Sequence, residues 1–449
     1  MLVSHSSAVD NFGGGELTLL HLIDQWRALR PDTEFFVVAR TPEGLMQPEF
    51  EKRGLEHRSL DFDSWVLPLV RERPIDVILT ARMDSWAVTQ IAEWIREFEP
   101  DLVVTNTIVS PWAALAARLV GVPHAWLVHE YGDLDHGLGF RTGRAETFQD
   151  IDILSDLVVA NSEAVRDHIA QWIAPEKLTI AYPAIDLPRA RELAAEASAP
   201  PSAASDALRT VMVGRLYPSK GQWRLLRAMA LLKDEGVRVA TTLVGRADAE
   251  DAAETAALIE ELGIGEQVTL VDETRNPFAY VAAADVAVMA STCEAFGRVT
   301  VEYLALGKPV VAARSGANPE LVSDGETGWL FDTDDIADLA RVLRAAAEDR
   351  EEVSRRGEAA ARSVDERLAH AYPVEDLVVR LEQAAGAGPT PMPRLPHIMR
   401  EWLEFPPVVE RYMREMNDIR VAAHGSTTWR VGRLLTAPLR VASRTLKRR

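Results

Sequence analysis

Short apolar runs alternate with longer amphipathic stretches along most of the chain. One series of runs comprises Phe35–Ala39, Val77–Thr80, Leu102–Thr105, Ala125–Val128 and Leu157–Ala160. A second comprises Val211–Val213, Thr241–Val244, Val268–Val271, Val286–Met289, Val310–Ala312 and Trp329–Phe331. Between them, helical spacing predicts helices over Trp86 to Phe98 and Pro111 to Val120. Another after Lys220 lines up Leu225, Met229 and Leu232 and stops at Gly236. Uninterrupted apolar strands, each followed by a helix, predict parallel sheet covered on both faces. The expected fold class is α/β, with two doubly wound, Rossmann-like domains and ligands in a cleft at the carboxyl ends of the strands.

Two stretches break this pattern. Arg191 to Asp206 is rich in alanine and serine and contains two adjacent prolines, and Gly386 to Pro396 reads GAGPTPMPRLP, a semi-rigid spacer. They divide the chain into a domain over 1–190, a domain over 207–385 and a helical extension over 397–449. A length of 449 residues with 47% hydrophobic content supports two cores rather than one. A single cysteine, Cys293, excludes an internal disulfide framework and agrees with a reducing compartment. Neither a secretory signal nor an apolar run long enough to span a bilayer is visible, so the chain reads as cytoplasmic.

The net charge of −19 disfavours nucleic acid as a partner. It is unevenly spread. From Val421 to Arg449 there is no acidic residue, whereas Arg430, Arg433, Arg440, Arg444, Lys447, Arg448 and Arg449 are basic.

Candidate chemistry sits at strand ends. In STCEAFGRVTVEYLALGKPVVAA, Ser291 to Ala313, Glu294 and Glu302 are eight positions apart. Eight helical steps leave side chains roughly 80° apart, so both can face one ligand if Glu294 lies in the loop and Glu302 in the helix. Gly297 at the helix start then allows close backbone approach and exposes N–H groups to a phosphate, while Glu302 accepts from a diol. The same spacing also fits a loop glutamate and a solvated helix glutamate above a core of Val299, Val301 and Leu304. In VMVGRLYPSKG, a strand ends at Gly214, Arg215 follows, and Lys220-Gly221 opens a helix. These cations suit a diphosphate, or are simply exposed loop charges. NFGGGE, Asn11 to Glu16, matches neither G-x-G-x-x-G nor a phosphate loop. Gly13 and Gly14 can pass a ligand close to backbone, or form a plain turn. In VHEYG, His129 ends a strand at the same crevice, as a ligand contact or a structural histidine.

Asp61-Phe62-Asp63 and Asp133-Leu134-Asp135 have the two-carboxylate spacing of metal–diphosphate sites, and read as solvated strand-edge pairs. No zinc-type cluster is present, and Cys293 reads as a small packed residue. No metal site is expected.

Together these segments resemble the retaining, nucleotide-sugar-dependent glycosyltransferases of the GT-B fold, glycosyltransferase family 4. The likeness rests on EAFGRVTVEYLALGKPVVA, followed by Gly316, Glu320 and DGETGWLF, and on VGRLYPSKG, ANSEAVRDHI and ADVAVMAS. It implies that Arg215 and Lys220 beside Gly214 hold a donor diphosphate, and that Glu294 contacts the donor sugar. Phe296-Gly297-Arg298 present backbone N–H groups, and Glu302 takes the ribose hydroxyls. Gly13 and Gly14 let donor and acceptor meet, and His129 contacts the transferring sugar from the other domain. It implies no cofactor beyond the nucleotide-diphosphate sugar substrate, and a carbohydrate or lipid-linked acceptor, as in cell-surface polysaccharide assembly. Tyr182-Pro183-Ala184-Ile185-Asp186 and Asp272-Glu273-Thr274-Arg275 depart from the family pattern, so the base is left open.

A soluble sucrose- or sugar-phosphate-type synthase of the same fold is one alternative, and the basic tail counts against it. An inactive nucleotide-sugar-binding relative is another, and the intact Arg215, Lys220, Glu294 and Glu302 set counts against that. If Thr436 caps a last helix, Leu435, Leu439, Ala442 and Leu446 line one side and Arg440, Arg444 and Lys447 the other. Such a helix suits an anionic membrane surface, and would make the protein peripheral on the inner face of the cell membrane.

Overall fold

The computed structural model describes all residues except 10–11, 67–73, 138, 184, 197–205, 371–373, 428–430 and 432–449. The first lobe carries β1 (Leu2–Ser4), β2 (Phe36–Arg40), β3 (Glu56–Leu60), β4 (Val103–Asn106), β5 (His124–Val128), β6 (Leu157–Ala160) and β7 (Leu178–Ile180). The second carries β8 (Leu208–Val213), β9 (Val239–Val244), β10 (Val268–Val271), β11 (Val286–Met289), β12 (Val310–Ala313) and β13 (Gly328–Phe331). The sheets run β3-β2-β1-β4-β5-β6-β7 and β10-β9-β8-β11-β12-β13, every pairing parallel.

Both are doubly wound, and the apolar runs explain why. In the first sheet Val3, Val38, Trp126 and Val158 pack on one face, and Leu2, Val37, Leu127 and Val159 on the other. In the second, Leu208, Met212, Val286 and Val288 face one helical layer, and Val211, Ala287, Met289 and Val310 the opposite one. With both faces covered, apolar residues fill most positions of both parities. The strand order reverses between β1 and β4 and between β8 and β11, which fixes where ligands can enter.

Several expectations change. Val77–Thr80 lies inside the helix Pro74–Phe98, not in a strand. Proline suits the first helical position, and buried Ala81, Val88, Ile91, Ala92 and Ile95 set a helical repeat that a four-residue apolar run cannot contradict. The two outer strands of the first sheet, β3 (EHRSL) and β7 (LTI), lack a buried apolar run because each has a partner on one side only. Arg58 on β3 lies over the rings of Phe36, Trp94 and Phe98 and pairs with Glu97.

The boundary at 385 also moves. The helix Val374–Ala387 packs Leu377, Val378 and Leu381 into the first lobe's core with Leu19 and Ile23, so the chain crosses between lobes twice. Part of the expected first linker is helical, Leu187–Ala195, and residues 197–205 lie outside the described residues. The proline-rich spacer is pinned to the first lobe, where Thr390 N–H donates to Asp156 at 2.7 Å. The extension then docks there as well. Ile398 is buried, Asp150 accepts from the N–H groups of His397 and Ile398 at 2.7 and 2.9 Å, and Trp402 stacks on Trp112 at 6.1 Å. Its helix Arg400–Gly425 leaves Met413, Met416 and Ile419 exposed. The amphipathic stretch expected from Thr436 lies outside the described residues. Among the described residues no helix is long and apolar enough to cross a membrane.

Candidate functional site

The two reversal points face each other across the cleft. On the second lobe, β8 ends at Gly214, β11 ends before the loop Ala290–Gly297, and Gly297 starts the helix Arg298–Ala305. Gly297 has φ +86°, a conformation that disfavours a side chain, and it caps the start of the helix. Glu294 thus lies in the loop and Glu302 in the helix.

Lys220 ends the turn Pro218–Lys220, and its Nζ lies 3.1 Å from Glu294 Oε2. The Glu294 carboxylate is the main reason the ammonium titrates above its usual range, with Asp135 of the first lobe adding to it. Lys220 is therefore a fixed positive charge at the reversal point. The loop is held from behind by Gly316, where an added Cβ would stand 2.1 Å from Glu294 O, and by Ala317 N–H, which donates to the same oxygen at 2.8 Å. Gly297 is close enough that a Cβ there would meet Glu294 Cγ at 3.3 Å. Lys220, Glu294 and Gly297 form one cluster.

Arg298 reaches into the first lobe. Its Nη1 donates to Thr18 Oγ1 at 3.2 Å, and a Cβ on Gly14 would touch its Cδ at 3.4 Å. Burial pulls the Arg298 guanidinium below its usual range, and burial also pushes the Glu302 carboxyl up to about 7 against the pull of Arg298. Gly13 and Gly14 open the helix Gly14–Leu29 on the first lobe, with a Cβ on Gly13 blocked by Glu16. His129, at the end of β5, has its Nε2 2.9 Å from Asn106 Oδ1. Burial, reinforced by His5 and Arg298, lowers its pKa to about 3, so the imidazole is neutral and its Nε2–H donates to Asn106.

Three expected residues stand apart from the cluster. Arg215 turns outward to an exposed ion pair with Asp248 at 2.5 Å, and must leave it to reach a diphosphate beside Lys220. The Phe296 ring is buried in the second lobe and stacks on Tyr182 at 5.5 Å, so only its backbone can serve a ligand. Gly214 lies at the strand end, its N–H donating to Val244 O at 2.9 Å.

The Asp133–Asp135 pair is structural. Asp135 accepts from the N–H groups of Tyr131 and Gly132 at 3.0 and 2.8 Å, and Asp133 pairs with Arg144. Cys293 is half-buried against the first lobe's core, its thiol pushed up to about 11 chiefly by burial. The structure adds residues that sequence reading missed. Asn106 orients His129 and donates to Gly15 O at 3.1 Å. Thr107 beside it adopts φ +75°, a strained value for a β-branched residue. Glu130 accepts from Ile108 N–H at 2.8 Å, and its burial lifts the carboxyl to about 8. Polar residues closing an apolar strand, as in VVTN, were the available signal for Asn106.

The family model for Glycosyltransferase Family 4 matches residues 12–189, and that for Glycosyl transferases group 1 matches residues 195–363. D-inositol 3-phosphate glycosyltransferase of Streptomyces avermitilis is 35% identical over 392 residues, 80% of this chain and 81% of its own. This chain belongs to the family 4 glycosyltransferases. Among solved structures, Anabaena HepE in complex with UDP has a TM-score of 0.65 at 21% identity, over 86% of this chain and 99% of that one. Sucrose-phosphate synthase from Thermosynechococcus elongatus has a TM-score of 0.63 at 19% identity, over 86% and 98%. The glycosyltransferase shares with them the GT-B fold, two Rossmann-like lobes about a cleft.

Proposed function

We propose that this glycosyltransferase takes a hexosyl group from a nucleotide diphosphate held on the second lobe. It delivers the sugar, with retained anomeric configuration, to a hydroxyl presented by the first lobe. One observation carries the reading. Lys220, Glu294 and the helix start at Gly297 meet at the second sheet's reversal point, and Arg298 reaches from there to Thr18 and Gly14 at the first sheet's. A cation beside a helix start suits a diphosphate, and the UDP bound by the structural relative HepE is such a ligand.

In this reading Lys220, joined by Arg215 once it leaves Asp248, offsets charge on the leaving phosphate. The N–H groups after Gly297 hold its oxygens. Glu294 accepts from sugar hydroxyls and Glu302 from the ribose. Neutral His129, fixed by Asn106, makes a hydrogen bond to the sugar or acceptor, and a pKa of about 3 makes it a poor proton acceptor at neutral pH. The leaving phosphate then serves as base for same-face attack, and catalysis rests on positioning and electrostatics. No metal or further cofactor takes part.

We assign the acceptor to a glycan or lipid-linked polyol of cell-envelope polysaccharide assembly. The basic tail holds the enzyme at the inner membrane face. A phosphorylated cyclitol is the second reading, favoured by the 35% identical relative whose name gives D-inositol 3-phosphate as its acceptor. A thermal-shift screen across UDP, GDP, ADP and their sugars tests the donor, because a ligand at 100 times its Kd stabilises by roughly 2.7 kcal/mol. At least one shift is expected, and a flat screen on folded protein refutes the donor assignment. NMR of the product's anomeric proton tests retention, and parallel incubations with inositol phosphate and lipid-linked acceptors separate the two acceptor readings.

A further inference from the structure

The donor loop is not built by its own lobe alone. Ala295, between Glu294 and Phe296, is buried within the first lobe's apolar core, and Cys293 packs against the same cluster. Ser162 of the first lobe donates through Oγ to Ala295 O at 2.5 Å, while Ser162 Oγ accepts from Val165 N–H at 3.0 Å as the cap of the helix Glu163–Ile169.

A second contact joins the same two segments in the opposite sense. Glu320 stands on the second lobe's helix Asn318–Leu321, immediately after Gly316 and Ala317, which grip Glu294. Its carboxylate accepts from the N–H groups of Glu163 and Ala164 at 2.9 and 2.7 Å. First-turn N–H groups have no acceptor inside their own helix, so a carboxylate there is a strong, charge-assisted partner. Tyr182, on the crossover between lobes, donates its hydroxyl to Glu320 at 2.9 Å and lays its ring on Phe296.

We infer that Ser162 and Glu320 are positioning residues that make the shape of the Glu294–Gly297 loop conditional on closure of the two lobes. Ser162 holds the loop's backbone from the acceptor side. Glu320 holds Ser162's helix from the donor side. With the lobes apart, the Ala295 carbonyl and the first N–H groups of the helix lose these partners, and the segment that presents Glu294 loses its support from the first lobe. The closed arrangement is thereby tied to the arrangement that presents the sugar-facing carboxylate, so an open enzyme does not turn over its donor.

Hydrogen exchange on the full chain tests this without substrate. Glu320→Ala is expected to speed exchange at residues 163–165 and at 295–298 together. Glu320→Gln, which keeps an acceptor oxygen, restores part of the protection. Should Glu320→Ala fail to fold, Ser162→Ala removes the reciprocal contact and is read the same way.

A kinetic arm rests on the nucleotide-sugar reading. There Glu320→Ala lowers kcat at least tenfold while the Kd for UDP stays within threefold, a split that general loss of structure would not give. Exchange confined to 163–165, or an unchanged kcat in the variant, overturns the inference. If the wild-type enzyme turns over no nucleotide sugar, the donor reading fails and the exchange arm alone decides the latch.

Discussion

Glu302 offers a quantitative check on the second lobe, because its burial has opposite consequences for stability and for binding. Its carboxyl is pushed from an ordinary 4.5 to about 7, chiefly by burial and against the pull of Arg298. That gap corresponds to roughly 3 kcal/mol. Between about pH 4.5 and 7 the folded protein holds a proton that the unfolded chain has released. Stability therefore falls as pH rises through this window, and above it the full cost is present. Glu302→Gln removes the titration while keeping the shape. Its stability relative to wild type is expected to be pH-independent below about pH 4.5, then to rise by roughly 3 kcal/mol by about pH 8. Urea unfolding followed by tryptophan fluorescence across that range measures the difference. A constant offset at every pH refutes the burial argument. The same variant should bind nucleotide more weakly, since an amide accepts less well than a carboxylate from two ribose hydroxyls.

Lys220→Ala removes the cation beside Glu294 and should weaken UDP binding about tenfold to a hundredfold, the range for a charge-assisted hydrogen bond. Calorimetry measures it, and an unchanged Kd contradicts the assigned role. Gly316→Ala places a Cβ 2.1 Å from Glu294 O at φ +53°, where backbone strain alone costs about 1–2 kcal/mol. A lower melting temperature and a turnover loss of at least tenfold are expected, and turnover within twofold of wild type would show that the loop can yield. Deleting residues 429–449 should abolish sedimentation with anionic vesicles, at about 1 kcal/mol per basic residue near the surface. Equal sedimentation of both forms would disprove the membrane role.

The sequence by itself determined the sheets and the location of the chemistry. A strand covered on both faces is apolar at most positions, so β2, β4 to β6, β8, β9, β11 and β12 announce themselves, as do the apolar outer strands β10 and β13, with end errors of a few residues. Outer strands β3 and β7 escape that constraint and were invisible, while the apolar run at 77–80 belonged to a helix, because four residues are too few to separate the two periods. Gly297, Lys220 and the two glutamates were legible because local rules place them, a glycine at a helix start and polar residues beyond apolar strands.

Only the tertiary structure decided what meets across the cleft. Nothing local in the chain says that Arg298 reaches Thr18, that Glu320 caps a helix 157 residues away, or that Arg215 turns to Asp248. It likewise decided that the helix Val374–Ala387 returns to the first lobe, and that burial removes the charge from His129. Contacts and desolvation of this kind depend on the relative placement of two separately wound sheets. That placement follows from the packing of both cores and is carried by no single segment.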